Sequence, residues 1–319
     1  MTPPYTLTPD ILDRSSAVMR LLGRIEAMES VARQSLELRR QNRVKSIYST
    51  LSIEGNTLSL EQVSAVIDKQ PVLGPQKEIL EVTNAVSAYD RLAAWDCCSL
   101  DHLLAAHGLM MQGLTPETGR FRSRGVGIQK GAQVTHIAPP AERVPGLMYE
   151  LFDHLRNSQD HMLIRSSVVH YEIEFIHPFS DGNGRMGRLW QTAMLMQLSP
   201  LFEYVPVESV IKSRQADYYQ VLEACDNVGE SSDFVAFMLT ALIDALEPLV
   251  RTPQKRRSAA ERLELAIAHF GNDLFSRKDY RALHPTLSTA SASRDLRRGC
   301  ESGLLEAIGD GRMTRYRCR

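Results

Sequence analysis

Apolar residues recur at helical spacing along most of this chain, and the pattern predicts a mainly α protein. The longest such stretch covers residues 11–43 and is rich in Leu, Met, Glu, Arg and Gln. Pro71 and Gly74 interrupt the pattern further along. Helices are also predicted over residues 61–69, 76–94, 100–113, 145–157, 165–176, 185–198, 214–227 and 233–250.

Residues 126–134 break the helical pattern. Gly127 and Gly131 accompany a short alternation of Val and Ile, which predicts a two-stranded β-hairpin. The hairpin is either a small flap or a plain surface hairpin. The residues themselves leave both interpretations open.

Length and composition indicate an ordinary globular protein. The chain has 319 residues, 43% of them hydrophobic, which is enough for two domains and a substantial core. No apolar run approaches the length of a membrane span, and the first residues lack a basic, apolar export signal. The five cysteines, two of them adjacent at Cys97 and Cys98, form neither a disulfide framework nor a zinc pattern. These features predict a cytoplasmic protein with no membrane partner.

Charge changes sign near residues 252–257. From Lys255 onward there are fourteen Lys and Arg against eight Asp and Glu, a net +6, which leaves 23 and 30 and a net −7 for residues 1–254. The basic tail shows amphipathic helices at 259–270 and 276–284, a third helix at 288–298, and a hairpin from 304–308 to 313–317 around an Asp-Gly turn. This order predicts a winged helix-turn-helix domain over residues 255–319.

Three arginines on the third helix of the tail, Arg294, Arg297 and Arg298, are candidates for contacts to DNA phosphates or bases. Alternatively, the tail mediates domain packing or homodimerisation and these arginines are solvated. A net charge of +6 is modest for a DNA-binding domain, so DNA and a second copy of the chain both stay open as partners.

The most informative segment is the twelve-residue run HPFSDGNGRMGR, from His177 to Arg188. The imidazole of His177 can accept a proton near neutral pH, and Asp181 can hold a hard cation. Small residues between Gly182 and Gly184 allow backbone N–H groups to approach phosphate oxygens. Arg185 and Arg188 can pair with phosphates. Core packing does not require this mixture, so the run predicts a triphosphate site.

Part of the same run, residues 182–187, also reads G-x-G-x-x-G, the dinucleotide-binding fingerprint. That interpretation requires a buried strand immediately before the glycines. Residues 164–176 and 186–196 instead carry apolar residues at helical spacing. The glycines are therefore predicted to join two helices, and phosphate would lie at the N-terminus of the second.

The run resembles the signature of the Fic family, HPFx(D/E)GNGRxxR, at every defined position. The resemblance extends to Gly119–Arg122 and to His136–Pro140, which are similar to the segments that flank the Fic flap. Residues 50–55, TLSIEG, are similar to the inhibitory motif (S/T)xxxE(G/N) of that family. The likeness covers roughly residues 30–245. Fic proteins are mostly helical enzymes that transfer AMP from ATP to a protein hydroxyl.

The resemblance implies a role for each matching residue. His177 would be the general base that deprotonates the attacking Ser, Thr or Tyr hydroxyl, and Asp181 would hold Mg²⁺ between the phosphates. ATP and Mg²⁺ are thus the expected cofactors, and the partner is a target protein with an acceptor hydroxyl. The chemistry agrees, because phosphoryl-group transfer depends mainly on positioning and on neutralising charge.

The remaining motif positions would bind the phosphates. The backbone of Gly182 to Gly184 with the Asn183 side chain would form the anion hole for the α-phosphate, and Arg185 would bind the β-phosphate. Arg188 would bind the γ-phosphate or pair with the inhibitory Glu54 instead. Glu54 lies near the end of a predicted helix, where the dipole disfavours a carboxylate, so another partner should hold it.

Together these features predict an N-terminal helical region, 1–110, with an inhibitory helix around 45–56, a Fic catalytic core with a small flap, 111–250, and the winged helix. The predicted function is autoinhibited AMP transfer to a target protein and to the chain itself. Two alternatives stay open. The first is a Fic relative that transfers another phosphate-containing group or removes AMP. The second is a DNA-binding regulator that senses nucleotide, although a sensor would not need the base at His177.

Overall fold

Helices dominate the part of the chain that the structure describes, which confirms the mainly α class. The structure is a computed structural model, and it describes residues 3–27, 36–125, 127–130, 133–251, 258–284, 287–309, 311 and 314–318. The chain divides into two units, Met1–Thr252 and Pro253–Arg319. No helix within the described ranges is both long enough and apolar enough to cross a membrane.

The described residues of the first unit form α-helices and one pair of strands. The helices are α1 (Pro9–Ala27), α2 (Leu36–Ile53), α3 (Leu60–Ile67), α4 (Gln76–Tyr89), α5 (Leu100–Met110), α6 (Val144–Asn157), α7 (Met162–Ile176), α8 (Asn183–Leu198), α9 (Val207–Ser213), α10 (Gln215–Val228) and α11 (Ser232–Arg251). The strands are β1 (Gly127–Lys130) and β2 (Gln133–Ile137).

The helix boundaries differ from the sequence predictions in several places. The predicted helix 11–43 covers most of α1 and the first part of α2, and residues 28–35 lie outside the described residues. The predicted helix 76–94 ends at Tyr89, and a separate 3₁₀ turn follows at Leu92–Ala94. Helix α9 was missed because its seven residues are too short to show a periodic pattern.

Helices α7 and α8 form the centre of the first unit. Residues on every side of both helices are buried, as expected for helices surrounded by protein. The two axes approach closely at Gly187, where an added Cβ would lie only 2.5 Å from His170 Cδ2. Trp190 on α8 is fully buried and donates its indole N–H to the Cys97 carbonyl oxygen at 3.1 Å. The loop between α7 and α8 is therefore carried on a rigid support.

Two apolar clusters hold this central pair. One contains buried residues of α2, α4, α5 and α6, including Ile47, Val82 and Phe152. The other contains buried residues of α1, α10 and α11, including Ile11 and Leu242. Helices α7 and α8 contribute to both clusters, so packing from two sides fixes their positions.

Strands β1 and β2 form an antiparallel pair, and Gly127 lies opposite Ile137. The register shifts between Ile128 and Gln129, as at a β-bulge. Of the segment predicted as a hairpin, residues 126, 131 and 132 lie outside the described residues.

The described residues of the second unit form three helices and a three-stranded antiparallel sheet. In chain order they are α12 (Ala259–Phe270), β3 (Phe275–Ser276), α13 (Arg277–Leu283), α14 (Thr289–Glu301), β4 (Leu305–Ile308) and β5 (Arg315–Cys318). The sheet order is β3-β5-β4. Serines cap all three helices, as the sequence pattern indicates. The unit has its own core, which includes Leu263, Phe275, Tyr280, Leu296 and Leu305.

Candidate active site

The loop between α7 and α8 contains most of the predicted site residues. His177 follows α7 in the left-handed conformation with φ 51°, and Gly182 is left-handed with φ 90° immediately before α8. The Asn183 side chain closes the loop, because it accepts from the Phe179 N–H at 2.8 Å and donates to the Phe179 carbonyl at 2.9 Å. The glycines join two helices, which confirms that the dinucleotide fingerprint does not apply.

Gly182 to Gly184 form the start of α8, a 16-residue helix. The first N–H groups of a helix lack partners within it and carry partial positive charge, so this end can bind an anion. An added Cβ on Gly182 would lie 2.7 Å from Met111 Sδ, and one on Gly184 would lie 2.4 Å from Glu54 Oε1. At Gly182 the left-handed φ of 90° also favours glycine, and at Gly184 a side chain would displace the Glu54 carboxylate.

Arg122 fixes the first half of the loop. Its side chain donates to the His177 carbonyl at 2.7 Å, and its backbone N–H donates to the Pro178 carbonyl at 2.9 Å. It also donates to the carbonyls of Arg124 and Pro139, at 2.9 and 2.5 Å. A buried guanidinium thus satisfies several backbone acceptors at once. The sequence placed Arg122 next to the hairpin but did not reveal this role.

His107, on α5, supports the second half of the loop. Its ring stacks on Phe179 with centroids 3.7 Å apart and planes 5° from parallel. Nδ1 accepts the Gly119 N–H at 2.9 Å, so the proton is on Nε2, which donates to the Asp181 carbonyl at 3.0 Å. Burial lowers the pKa of His107 to about 4 and keeps the ring neutral. No local pattern around residue 107 indicated this contact.

The neutral state of His107 predicts a loss of stability in acid. The ordinary pKa of 6.5 applies to the unfolded chain, so the unfolded state binds more protons below that pH. Stability is complete above pH 6.5 and falls toward pH 4. We expect about 2 kcal/mol of this loss by pH 5 from His107. Urea unfolding at pH 7 and pH 5 should show a smaller difference for His107→Phe. An equal difference in both proteins would contradict the prediction.

His177 has the tautomer that a general base needs. Its Nδ1 lies 3.3 Å from the Glu174 carbonyl oxygen, so Nδ1–H donates there. This contact puts the basic lone pair on Nε2. The left-handed backbone at His177 turns the chain sharply at the end of α7.

Asp181 and Arg185 contact each other in the structure. Arg185 Nη2 donates to Asp181 Oδ1 at 2.8 Å, and Nη1 lies 3.8 Å from Glu81 Oε1. Arg185 is buried, whereas the Asp181 side chain is 48% exposed. The described residues contain no group of three or more His, Cys, Asp or Glu side chains that could hold a metal ion.

Arg188 and Glu54, which are 134 positions apart in the sequence, are brought together. Arg188 Nη2 donates to Glu54 Oε1 at 2.6 Å and to the Thr50 carbonyl at 3.1 Å, and Nε donates to Thr50 Oγ1 at 2.9 Å. The Glu54 carboxylate lies against Gly184, in the first turn of α8. The Glu54 carboxylate therefore occupies the position at the N-terminus of α8 where a bound anion would otherwise lie.

Helix α2, which ends just before Glu54, is held by further polar contacts. Ser46 Oγ donates to Glu208 Oε2 at 2.7 Å, and Ser49 Oγ lies 3.0 Å from Ser209 Oγ. The Glu208 carboxylate is buried and also accepts from the Tyr89 hydroxyl at 2.9 Å. These bonds fix α2 against α9 and α4.

The fold and the site define a helical protein with a glycine-rich loop between two central helices and an internal carboxylate against the N-terminus of the second. Comparison with known proteins agrees with this class. The Fic/DOC family model matches residues 97–195. A Fic family protein from Desulfovibrio desulfuricans G20 is 43% identical, with a TM-score of 0.78 over 100% of this chain and 98% of that one. The chain belongs to the Fic family.

More distant relatives agree. The protein adenylyltransferase fic-1 of Caenorhabditis briggsae is 31% identical over 206 residues, which are 60% of this chain and 38% of that protein. The protein adenylyltransferase Fic of Aedes aegypti is 29% identical over 234 residues, 69% of this chain and 44% of that protein. The chain thus spans less than half the length of these curated relatives. Fic-1 from Caenorhabditis elegans shares the fold, with a TM-score of 0.61 at 23% identity over 75% of this chain and 72% of that structure.

Proposed function

We propose that this protein transfers AMP from ATP to a Ser, Thr or Tyr hydroxyl of a target protein, and to itself. The observation that carries the proposal is the α7–α8 loop, where a histidine base precedes a helix N-terminus bearing two buried arginines. The names of the relatives, protein adenylyltransferase, support the same reaction.

In this proposal His177 Nε2 takes the proton of the attacking hydroxyl as the oxygen bonds to the α-phosphorus and pyrophosphate leaves. The N–H groups at Gly182 to Gly184, with the Asn183 side chain, stabilise the α-phosphate, because charge develops on its oxygens in the transition state. Arg185 pairs with the β-phosphate. Arg188 pairs with the γ-phosphate once Glu54 has left it.

Mg²⁺ fits the residues at the phosphate end of the site. This cation is commonly held by one or two carboxylates together with substrate phosphates and water. Asp181 supplies one such carboxylate, and its side chain is half exposed. It forms an ion pair with Arg185, the proposed ligand of the β-phosphate. When bound, Mg²⁺ would neutralise phosphate charge. The Asp181–Arg185 pair holds both side chains at the loop before ATP enters.

We also propose that β1 and β2 form the flap that binds the target. An extended peptide can add to the edge of a strand pair through main-chain hydrogen bonds, which positions a side chain with little dependence on sequence.

The division into an N-terminal region, 1–110, and a catalytic core, 111–250, stays a prediction from the sequence. The contact of His107 with the Asp181 carbonyl favours counting α5 with the core. The cytoplasmic location stays a prediction from the sequence.

Labelled ATP tests the proposed reaction. With ATP labelled at the α-phosphate, AMP transfer should place the label on protein, whereas ATP labelled at the γ-phosphate should leave protein unlabelled. Label from the γ-position would indicate phosphate transfer instead. Release of a label from previously modified protein, with no incorporation, would favour the alternative in which the enzyme removes AMP.

For the second unit we propose a winged helix-turn-helix domain that binds DNA. The specific observation is α14, which buries Ala292 and Leu296 and exposes Arg294, Arg297 and Arg298 on its other side. Asp295 on the same helix is buried and accepts from Arg262 at 2.6 and 3.0 Å, which fixes the helix in its unit. The exposed arginines are thus presented on a rigid helix.

The DNA-binding proposal predicts a strong dependence on salt. Replacing Arg294, Arg297 and Arg298 by Ala should weaken binding to a mixed-sequence duplex by about tenfold or more at low salt, and each lost phosphate contact should lower the salt slope by about one. Fluorescence anisotropy with the full chain measures both. Replacing three exposed arginines of the first unit, Arg20, Arg24 and Arg91, is the matched control. Equal effects from the two triple variants would favour the packing or dimerisation role.

A further inference from the structure

Glu174 lies in the last turn of α7, and its carboxylate lies close to the Glu54–Arg188 pair. An ideal Cβ on Gly184 would lie 3.0 Å from Arg188 Nη1 and 3.2 Å from Glu174 Oε1, in addition to its close contact with Glu54. Two carboxylates and one guanidinium therefore converge on the first turn of α8. Two carboxylates that share one site do not both ionise without a large cost. One of them should carry a proton.

A chain of buried hydrogen bonds begins at Ser167 and has a fixed direction. Ser167 Oγ donates to the Leu163 carbonyl at 3.0 Å, so its oxygen can only accept from Gln191 Nε2 at 3.3 Å. The amide of Gln191 is thereby oriented with Oε1 toward His170 Nδ1, 2.7 Å away. Because Oε1 is an acceptor, His170 carries its proton on Nδ1.

The same network continues from His170 to Glu174. Burial lowers the pKa of His170 to about 3, so the ring is neutral and Nε2 has a lone pair. Nε2 lies 3.1 Å from the Tyr218 hydroxyl, which donates to Glu174 Oε1 at 2.9 Å. Tyr218 has one hydroxyl proton for these two neighbouring acceptors. A proton on Glu174 would satisfy both contacts, because Glu174 would then donate to Tyr218 and Tyr218 to His170.

The electrostatic surroundings agree with this assignment. Burial and the neighbouring Glu54 raise the pKa of Glu174 to about 7. The titratable and charged groups around it come from four helices: Glu54 beside α2, His170 on α7, Arg188 on α8, and Tyr218, Tyr219 and Asp226 on α10. Of these, Glu54 is the anion that the nucleotide would replace.

We propose that Glu174 is a proton-carrying residue of the nucleotide site, neutral while a second anion lies beside Arg188 and ionised when that anion is absent. The inference rests on the proposed function, because the second anion is the Glu54 carboxylate at rest and the terminal phosphate of ATP in the active state. ATP binding to a site without Glu54 then takes up one proton from solvent. A neutral carboxyl can donate to a phosphate, whereas a carboxylate repels it.

The test uses the full chain with Glu54→Gly as the parent, and compares it with the double variants that add Glu174→Gln or Glu172→Gln. Glu172 is a buried carboxyl of the same helix and serves as the matched control. Calorimetry gives the Kd of Mg-ATP and of Mg-ADP at pH 7, 8 and 9. Glutamine keeps the volume of Glu174 and stays neutral at every pH.

We expect the parent and the Glu172→Gln control to bind ATP about tenfold more weakly at pH 9 than at pH 7, since binding linked to one proton can change by up to a factor of ten per pH unit. With Glu174→Gln, the ATP Kd should change by about twofold or less over the same range. ADP lacks the terminal phosphate, so its Kd should change little in all three proteins, which also shows that they are folded.

Two results would overturn the inference while leaving the proposed function intact. One is ATP affinity in the parent that does not change from pH 7 to pH 9. The other is an equally steep loss in the parent and in Glu174→Gln. If the parent binds neither nucleotide at any pH, the proposed function itself fails, and this inference fails with it.

Discussion

Replacing His177 by Ala should lower AMP transfer by about 10²- to 10⁴-fold, the usual contribution of a positioned general base. The attacking hydroxyl is barely acidic at neutral pH, and His177 is the motif residue whose Nε2 can accept its proton. In the proposed site the phosphate contacts come from the α8 N-terminus and the arginines, so the Kd of ATP should stay within about twofold of its original value. Rates are best measured in the Glu54→Gly background, where we expect transfer to be fast enough to quantify.

His269→Ala is the matched control for this substitution, because His269 is an exposed histidine of the second unit. It should leave both the transfer rate and the ATP affinity unchanged. If His177→Ala transfers AMP as fast as its parent, the general-base assignment is wrong. A parallel loss of ATP binding would instead indicate that the substitution disturbs the loop, in which the His177 carbonyl accepts a hydrogen bond from Arg122.

Replacing Glu54 by Gly should raise AMP incorporation, including self-modification, by about tenfold to a hundredfold. The estimate corresponds to removing a competing hydrogen bond between charged groups, which contributes about 1.5–3 kcal/mol. Glu54 Oε1 and Arg188 Nη2 are 2.6 Å apart, and the carboxylate fills the space against Gly184. Without it, the guanidinium is available to the γ-phosphate.

Glu54→Gln separates the effect of the negative charge of Glu54 from the effect of the space that its side chain fills. The amide can still accept from Arg188, but it competes less well with a phosphate, so we expect a smaller rise than with Gly. Incorporation of α-labelled AMP, with folding checked by circular dichroism, measures all three proteins. Equal incorporation in the original chain and in Glu54→Gly would reject autoinhibition and leave the proposed catalytic role of His177 standing.

The chemistry of the site was readable from the sequence because its residues are contiguous. His177 to Arg188 supply the proposed base, the helix N-terminus and the arginines within one loop and the start of α8, and the helical spacing on both sides predicted the elements that carry them. Glu54 was found through its motif, and its need for a partner followed from its place near a helix end.

The residues that hold the site in place were not predictable in this way. His107 reaches Asp181 across 74 positions, and it does not lie in a segment whose local pattern indicates a contact. Thr50 reaches Arg188 across 138 positions. It begins the motif that pointed to Glu54, but the motif did not indicate that Thr50 itself binds Arg188. Glu174 is only three residues before His177, yet its neighbours Tyr218 and Arg188 come from two other helices. Such contacts arise from helix packing. Sequence periodicity indicates which face of a helix is buried, but it does not indicate which other helix packs against that face.

The anchoring of α2 has a consequence for how the proposed inhibition would be relieved. Of the three hydrogen bonds that Arg188 makes with the end of this helix, two go to Thr50, and Ser46 and Ser49 add further attachments. Glu54 comes after the last helical residue and before Gly55, whose backbone is left-handed with φ 92°. These contacts hold α2 in place, whereas Glu54 lies in the turn that follows the helix. In the proposed inhibition, Arg188 would be freed by rotation of the Glu54 side chain alone, and the surrounding core would stay as it is.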